Sequence, residues 1–368
     1  MKKDKTIRVS APGRICLLGE HQDYFGLPVI SAAINMRIRI EGFRNNHNYF
    51  EMELPDIGEK ETINLSGDFL PQKERDYLRS SLRVLKRYGY RFSMGYNCVI
   101  ESNIPIGKGV SSSSAMVVGW LKFLLTITDN PQKVTREGLA ELAYEAEVKE
   151  FKEPGGMQDH YCSSLGGLLY IDCKKKTVAS QLKTKLSGFV LGDSLVQKDT
   201  KGGLSRIKNN VNFAVEKVRE VIKDFNLEKT ELFKIKEVLK SLPEEPKLKL
   251  EATLMTRDLT QEAKKFIEQG IVDDEVFGKL LDRHHSALRE GLQISTEKIE
   301  RLIDAAKSAG ALGCKINGSG GGGCFLAFAP GKENRVVEAI EKAGGKGYLV
   351  DIDKGVCIEG ETDVASWY

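Results

Sequence analysis

The sequence predicts an α+β protein of two domains with a cleft between them, and three observations lead to that prediction. A chain of 368 residues fits about two domains of ordinary size. Its first half mixes short strands, glycine-rich turns and helices, whereas residues 205 to about 307 carry charged segments with helical periodicity. A glycine run, a strand, a helix and a final strand follow. We place the domain boundary where the mixed strands and helices give way to helices, which gives domains of residues 1–191 and 192–368.

The composition excludes several classes of protein. Lysine and arginine total 55 and acidic residues 52, and a net charge of +3 does not favour nucleic acid or anionic membranes as partners. The longest apolar stretch, Ala115 to Ile127, is interrupted by Lys122 and is too short to span a bilayer. The start MKKDKT lacks the apolar region of a secretory signal. Seven scattered cysteines without a C-x-x-C pair predict free thiols in a reducing cytoplasm.

Apolar patterns predict the elements of the first half. Tyr96 to Glu101 alternates apolar and polar residues, as a half-buried strand does, and Leu168 to Asp172 is a second predicted strand. Ala115 to Ile127 is predicted to be a buried helix. An amphipathic helix is predicted from Thr135 to Phe151, with Thr135 as its N-cap.

The second half is predicted to be helical before it returns to strands. The helical segments are FAVEKVREVIKDF, ELFKIKEVLKSL, EAKKFIEQG and EKIERLIDAAKSAG, and SLPEEPK is predicted to be a linker between two of them. A buried strand is predicted from Cys324 to Ala329. A helix at RVVEAIEKA and a strand at GYLVDI then complete a β-α-β unit.

The first chemically suggestive segment is APGRICLLGEHQDYFG, residues 11–26. An apolar run leads into polar side chains, a pattern that would deliver Arg14, Glu20, His21, Asp23 and Tyr24 to a cleft. Carboxylates there could accept hydrogen bonds from several sugar or polyol hydroxyls. A solvated turn after a strand remains the alternative, because polar turns are common.

The second segment is NIPIGKGVSSSSAMVVGW, residues 103–120. Pro105, Gly107 and Gly109 shape a loop whose N–H groups can turn inward, and the following helix N-terminus carries partial positive charge. Together they predict an anion site suited to a polyphosphate, with a serine hydroxyl in reach of a phosphate-bound Mg²⁺. The segment lacks the G-x-x-x-x-G-K-[ST] pattern of a Walker loop. A serine-capped helix after a flexible turn is the alternative.

Two carboxylates on helices complete the candidate chemistry. Glu147 borders the buried stripe of its helix and needs a cation or a donor as partner, which Mg²⁺ or a salt bridge would supply. Asp159 follows a Pro-Gly-Gly turn at a predicted helix start, where it could orient a substrate hydroxyl and accept its proton. The alternative is an aspartate that is found there because the helix dipole stabilises its negative charge. His160 is expected to serve packing or hydrogen bonding.

The third segment, KINGSGGGGCFLAF, matches G-x-G-x-x-G at Gly318, Gly320 and Gly323. A dinucleotide-binding motif requires a helix directly afterwards, but the apolar run here predicts a strand. These glycines are instead expected to let the backbone approach a phosphate or another domain closely.

The three glycine-bearing segments, in their order along the chain, resemble the three motifs of the GHMP superfamily, which includes galactokinase, homoserine kinase, mevalonate kinase and phosphomevalonate kinase. The matching stretches are PGRICLLGEHQDY, PIGKGVSSSSA and KINGSGGGGC. The resemblance covers nearly the whole chain. Within this superfamily the chain is most similar to galactokinase-like sugar 1-kinases. Three features carry this similarity: the run from Glu20 to Tyr24, Arg14 where mevalonate kinases carry lysine, and the segment AEVKEFKEPGGMQD. The resemblance implies an N-terminal domain with a left-handed β-α-β crossover and a ferredoxin-like C-terminal domain.

The resemblance also implies roles for individual residues. Asp159 is implied to be catalytic with Arg14 beside it, and Ser113 and Glu147 are implied to be Mg²⁺ ligands. The residues implied to surround the ATP phosphates are Gly107, Gly109, Ser111, Ser112 and Ser113, and Tyr77 is implied to lie near the nucleotide base. The implied sugar contacts are Glu20, His21, Asp23 and Gly156.

The implied reaction is phosphoryl transfer from ATP to a monosaccharide, at the anomeric hydroxyl by analogy. Phe25, Gly26 and Leu27 stand where galactokinases usually have Asn-Gly-Gly, and His160 stands in place of a glutamine. A hexuronic acid, fucose, a heptose phosphate or another small alcohol such as mevalonate therefore remain alternative substrates. A sugar-sensing paralogue without turnover is the alternative of another class. The oligomeric state stays open.

Overall fold

Two β-sheets organise the computed structural model, which describes residues 6–197, 200–270 and 272–360. The strands are β1 Ile7–Leu18, β2 Val29–Arg44, β3 Tyr49–Leu54, β4 Glu59–Asn64, β5 Tyr96–Ser102, β6 Leu168–Asp172, β7 Val178–Gln181, β8 Phe189–Asp193, β9 Gly313–Asn317, β10 Cys324–Phe328, β11 Lys346–Val350 and β12 Cys357–Ile358.

Ten α-helices connect and cover the sheets in the described part of the chain. They are α1 Tyr77–Arg87, α2 Ser112–Ile127, α3 Arg136–Tyr144, α4 Gln158–Leu165, α5 Thr200–Val221, α6 Leu232–Leu239, α7 Glu244–Glu268, α8 Asp274–Ser286, α9 Glu297–Ser308 and α10 Glu333–Lys342. Short 3₁₀ turns occur at Asp23–Phe25 and Pro55–Ile57, and π-helical turns at Glu145–Lys149 and Ala287–Leu292 extend α3 and α8.

The larger sheet runs in the order β12-β1-β2-β5-β3-β4, and β6 with β7 adds to β2. Its paired strands run antiparallel except for β3 with β5, which run parallel. Helix α1 lies between these two strands in the chain, so this is the position of the expected β-α-β crossover; its handedness stays a prediction. The apolar helix α2 packs on the sheet with Trp120 and Phe123 fully buried. Packing of α2 against β1 brings the first two glycine-bearing segments together.

The smaller sheet has the antiparallel order β11-β8-β10-β9. Numbered along the chain, this order is 4-1-3-2, which is that of a ferredoxin-like β-α-β-β-α-β unit. Helices α9 and α10 pack on each other and on this sheet, while α5 to α8 form a helical insertion between its first two strands. The predicted two-domain α+β fold is confirmed.

The two sheets are not separated cleanly along the chain. The predicted boundary between residues 191 and 192 lies inside β8, a strand of the smaller sheet. Strand β12 returns from the C-terminal part to pair with β1. The main hydrophobic core also crosses from α2 to Phe277 and Leu281 of α8. The division into domains at that position stays a prediction.

Most predicted elements are present, with one clear correction. The expected strands and buried helix correspond to β5, β6 and α2, and Thr135 caps α3 by accepting from the Gly138 N–H. The expected linker SLPEEPK is wrong in its second half, because α7 begins at Glu244. Pro246 is tolerated because backbone N–H groups in the first turn of a helix have no acceptor within the helix, so a residue without an N–H loses no hydrogen bond there. The helix dipole also stabilises the acidic side chains of this first turn.

The cysteines and hydropathy agree with expectation. All seven cysteines are buried free thiols. Within the described ranges, no helix is both long enough and apolar enough to cross a bilayer.

Candidate active site

One cleft of about 340 Å³ gathers the candidate residues of the first two segments and of the two helices carrying carboxylates. The sequence-predicted site residues that line it are Arg14, Glu20, His21, Asp23, Tyr77, Gly107, Gly109, Ser111, Ser112, Ser113, Glu147, Gly156 and Asp159. Gly318 and Ser319 of the third segment line it as well. Every candidate residue is therefore brought to one place, although the residues come from distant parts of the chain.

An arginine–aspartate pair lies at the centre of the cleft. The Arg14 Nε donates to Asp159 Oδ1 at 2.7 Å, and its Nη1 donates to the Gly109 carbonyl at 2.7 Å. Burial opposes the charge on Arg14, but the carboxylates of Asp159 and Glu20 outweigh it and raise the pKa of the guanidinium. Asp159 keeps 28% of its side chain exposed to the cleft. A fixed cation thus stands beside an accessible proton acceptor.

The loop from Gly107 to Ser113, which leads into α2 and is called the phosphate loop from here on, has the properties of an anion site. Gly107 and Gly109 adopt left-handed backbone conformations, and so does Ser111, with φ of 60°. The helix begins at Ser112 with no side chain capping its first N–H groups. The Ser111 hydroxyl is buried and has no hydrogen-bond partner among the described residues. Unsatisfied donors at a helix N-terminus fit a phosphate group.

Glu147 faces the same loop from the π-helical turn after α3. Its Oε2 lies 2.7 Å from Nε2 of His160. Burial opposes its ionisation, yet the hydrogen bond and charge of His160 and the hydroxyls of Ser113 and Ser114 lower the pKa of Glu147. Within the described ranges no cluster of three or more His, Cys, Asp or Glu side chains could hold a metal. A carboxylate and a serine hydroxyl fit Mg²⁺ if phosphate oxygens and water supply the remaining ligands.

Asp23 lines the same cleft as the phosphate loop. Its carboxylate accepts from the Tyr24 N–H at 3.0 Å and the Gln158 N–H at 3.3 Å. Burial, followed by the charge of Asp159, raises the pKa of Asp23 to about 6. A Cβ on Gly156 would lie 2.2 Å from this carboxylate, so only glycine fits there.

Glu20 is held by a residue that the sequence analysis missed. Lys315 of β9 is fully buried, and its Nζ donates to Glu20 Oε2 at 2.9 Å and to the Cys16 carbonyl at 2.7 Å. Burial favours neutral Glu20, but the charges of Lys315 and Arg14 prevail and lower the pKa of Glu20 to about 2.

Asn317 is a second residue that the sequence analysis did not find. Its Oδ1 accepts from the Cys16 N–H at 2.8 Å, and its Nδ2 donates to the Gly109 carbonyl at 2.8 Å. Lys315 and Asn317 alternate with Ile316 in the strand before the glycines, and that alternation was the available signal that both share one face.

The third glycine segment packs on the phosphate loop itself. A Cβ on Gly318 would lie 2.7 Å from the Gly109 Cα, and one on Gly323 would lie 2.6 Å from the Lys108 carbonyl oxygen. The Cys324 N–H donates to that same carbonyl at 2.9 Å. Strand β10 follows directly, so the segment is not a dinucleotide-binding motif. The expected close approach is made to the loop.

Tyr77 lines the cleft from the start of α1. Its ring contacts Phe151 edge to face, with centroids 5.4 Å apart. The expected contact between Tyr77 and a nucleotide base stays a prediction.

Comparison with known protein families identifies the class to which this fold and site belong. The profile of the GHMP kinases N terminal domain matches residues 76–167, and that of the GHMP kinases C terminal domain matches residues 269–346. The galactokinase galactose-binding signature matches residues 2–42. Together these matches span more than half of the sequence, and the chain belongs to the GHMP kinases.

The individual relatives include both mevalonate kinases and galactokinases. The mevalonate kinase of Thermococcus gammatolerans is 29% identical over 367 residues, which cover 96% of this chain and 98% of the relative. The galactokinase of Actinobacillus succinogenes is 25% identical over 89% of this chain and 86% of its own length. The Lactococcus lactis galactokinase complexed with galactose superposes with a TM-score of 0.83 at 20% identity, covering 96% of this chain and 95% of that one. The last comparison shows the fold.

The buried Lys315–Glu20 pair generates a stability prediction. Lys315→Met leaves the Glu20 carboxylate buried without its cation, so we expect the free energy of unfolding to fall by about 3–5 kcal/mol in urea titrations. The double variant Lys315→Met/Glu20→Gln should recover part of this loss. A double variant as unstable as the sum of the single ones would show that the two side chains do not interact energetically.

Proposed function

We propose that this chain is an ATP-dependent sugar kinase that phosphorylates a monosaccharide at its anomeric hydroxyl. The observation that carries the proposal is the Arg14–Asp159 pair between the phosphate loop and the carboxylate of Asp23. A sugar ring that contacts Asp23 can present one hydroxyl to Asp159 and to the loop at the same time.

The reaction requires few groups from the protein. The hydroxyl oxygen attacks the terminal phosphorus, the bond to the bridging oxygen breaks, ADP leaves, and the hydroxyl proton passes to Asp159. Arg14 neutralises charge on the transferred group and holds the Asp159 carboxylate in place. Phosphoryl transfer depends mainly on positioning and on electrostatic stabilisation, and this site supplies both.

ATP and Mg²⁺ are the cofactors of the proposal. The loop from Gly107 to Ser113 would hold the phosphates, because no side chain caps the N-terminus of α2 and the buried Ser111 hydroxyl has no hydrogen-bond partner among the described residues. Ser113 and Glu147 would hold Mg²⁺, whose contribution when bound is to neutralise the phosphate oxygens.

A sugar is favoured over mevalonate by the hydrogen-bond acceptors of the cleft. Asp23, Asp159 and Glu20 line it, and carboxylates accept hydrogen bonds from the several hydroxyls that a sugar presents. The match to the galactose-binding signature supports the same choice. Mevalonate phosphorylation is the second candidate, because the mevalonate kinase relative is similar over almost its entire length.

Turnover is favoured over sugar sensing without catalysis. The side chains that a sensor could lose without losing its ligands, Ser113, Glu147 and Asp159, are all present and all line the cleft.

The deciding experiment is a substrate panel that measures ATP-dependent ADP release, with phosphorus NMR on the products. The panel holds galactose, galacturonate, glucuronate, fucose, arabinose, heptoses and mevalonate. A sugar 1-phosphate as the best product supports the proposal. Mevalonate as the best substrate replaces it with the second candidate, and binding of sugar and ATP without any turnover supports a sensor.

Removal of the Asp159 carboxylate tests its role as proton acceptor. We expect Asp159→Ala to lower kcat by about 10³-fold or more while calorimetry still detects sugar and ATP, since the binding groups remain. Asp129→Asn, an exposed carboxylate outside the cleft, is the matched control. Near-normal turnover in Asp159→Ala would remove this residue from the mechanism.

The raised pKa of Asp23 predicts a pH dependence. Below about pH 6 this carboxyl becomes protonated and accepts fewer hydrogen bonds, so kcat/KM for the sugar should fall while kcat at saturation changes less. Facing phenols do not titrate in this range, since burial raises the pKa of both Tyr24 and Tyr144. Asp23→Asn should lower kcat/KM at neutral pH and lose the inflection; an unchanged inflection would assign it to another group.

Stability gives an independent check on the same residue. The folded-state pKa of Asp23 lies above its unfolded value, so the fold disfavours the ionised form and loses stability as pH rises through about 6. Asp23→Asn should therefore raise Tm at neutral pH, and the difference from the unmodified protein should shrink as pH falls towards 4. A lower Tm for Asp23→Asn at neutral pH would contradict the assigned burial cost.

A further inference from the structure

A second cavity of about 930 Å³ adjoins the candidate sugar site. Asp23, Tyr24, Gly155 and Gly156 line both cavities, so the two lie side by side along one short edge. The loop from Gly107 to Ser113 contributes residues to the first cavity and none to the second. A substrate with its reacting hydroxyl at Asp159 would therefore point its other end towards the second cavity.

The second cavity carries an excess of positive charge. Its charged lining consists of the lysines Lys133, Lys149, Lys174, Lys175 and Lys208 and the carboxylates Asp23, Glu141 and Glu145. Lys174 is paired with Asp172 and Glu228. In the described part of the chain, no carboxylate lies within ion-pair distance of Lys149 or Lys208. The ammonium groups of Lys149 and Lys208 thus have no anionic partner among the described residues.

The carboxylates of the cavity do not fill that role. The Asp23 oxygens already accept from two backbone N–H groups. Glu145 accepts from Arg87 and from the Tyr88 hydroxyl. Glu141 accepts from the Tyr161 hydroxyl at 3.4 Å.

Tyrosine rings of the cavity wall contact both lysines. Lys208 Nζ lies 5.7 Å from the centroid of the Tyr24 ring, and Lys149 Nζ lies 5.6 Å from that of Tyr144. An ammonium over an aromatic face is attracted by the ring but keeps its hydrogen-bond donors for another acceptor. The tyrosines therefore hold positive charge at the cavity without neutralising it.

Helix α5 links this charge to the sugar site. Leu204 lines the first cavity, and Lys208, one helical turn later, lines the second. The same helix face therefore contributes an apolar contact near the substrate and a half-buried cation beyond it.

We propose that the second cavity binds an anionic group, a phosphate or a carboxylate, carried by the sugar at the end remote from the phosphorylated hydroxyl, with Lys208 and Lys149 as its cationic contacts. This inference rests on the proposed sugar kinase activity and narrows its substrate to a hexuronate-like or sugar-phosphate class.

The test compares matched sets of substrates. Galactose, galacturonate and galactose 6-phosphate form one set, and the corresponding mannose and glucose compounds form two others. For at least one set we expect kcat/KM of an anionic member to exceed that of its neutral parent by about tenfold or more, with the ratio falling as salt screens the lysines. The better anionic member distinguishes a phosphate from a carboxylate.

Lys208→Met should reduce this selectivity ratio by about tenfold, mainly through KM of the anionic sugar, and Lys149→Met should reduce it further. Lys217→Met is the matched control, because Lys217 lies on the same helix, pairs with Glu220 and does not line the cavity. Thermal melts of the variants verify that the fold is retained.

The two levels of the proposal fail differently. A ratio near one in every set, or a ratio that Lys208→Met leaves unchanged, would overturn the anionic subsite while sugar kinase activity stands. Turnover of mevalonate with none of the sugars would overturn the proposed function itself.

Discussion

The carbonyl of Gly109 is the point on which the arrangement of the site depends. It accepts from Arg14 Nη1 and from Asn317 Nδ2, so both of its lone pairs are used by side chains from the other two glycine-bearing segments. The same Arg14 holds Asp159, and the same Asn317 holds the backbone of β1 at Cys16. The loop before α2, the Arg14–Asp159 pair and the smaller sheet are therefore fixed relative to one another through a single peptide group.

These hydrogen bonds to the Gly109 carbonyl explain why the site contains backbone conformations and buried charges that would otherwise lower the stability of the fold. His21 and Ser111 both adopt left-handed backbone conformations, which non-glycine residues avoid unless surrounding structure imposes them. Lys315 is fully buried, and its pair with Glu20 satisfies charges rather than adding much net stability. Phosphoryl transfer benefits from groups that are already oriented before the substrate arrives, so rigidity has a use here that stability alone would not justify.

The sequence predicted those parts of the molecule that local patterns determine. Strands β5 and β6 and helix α2 followed from apolar periodicity. Most candidate site residues stood at strand-to-loop or loop-to-helix junctions, where side chains reach a cleft; Arg14 inside β1 and Glu147 in a π-helical turn are exceptions. Lys315 and Asn317 were missed because their partners at Cys16 are about 300 residues away, and no local rule pairs them. The start of α7 was missed because prolines that usually mark a linker are also compatible with a first helical turn.

In the proposed activity, the two cavities together impose a direction on the substrate. Inside the cleft, Asp23, Asp159 and Glu20 favour hydroxyls and repel anions; like charges about 4 Å apart repel by about 4 kcal/mol at an effective dielectric of about 20. Beyond the Tyr24 ring the sign reverses, because Lys208 and Lys149 face the second cavity. A molecule with a neutral end and an anionic end is therefore bound favourably in one orientation, with a hydroxyl at Asp159 and the charge outside.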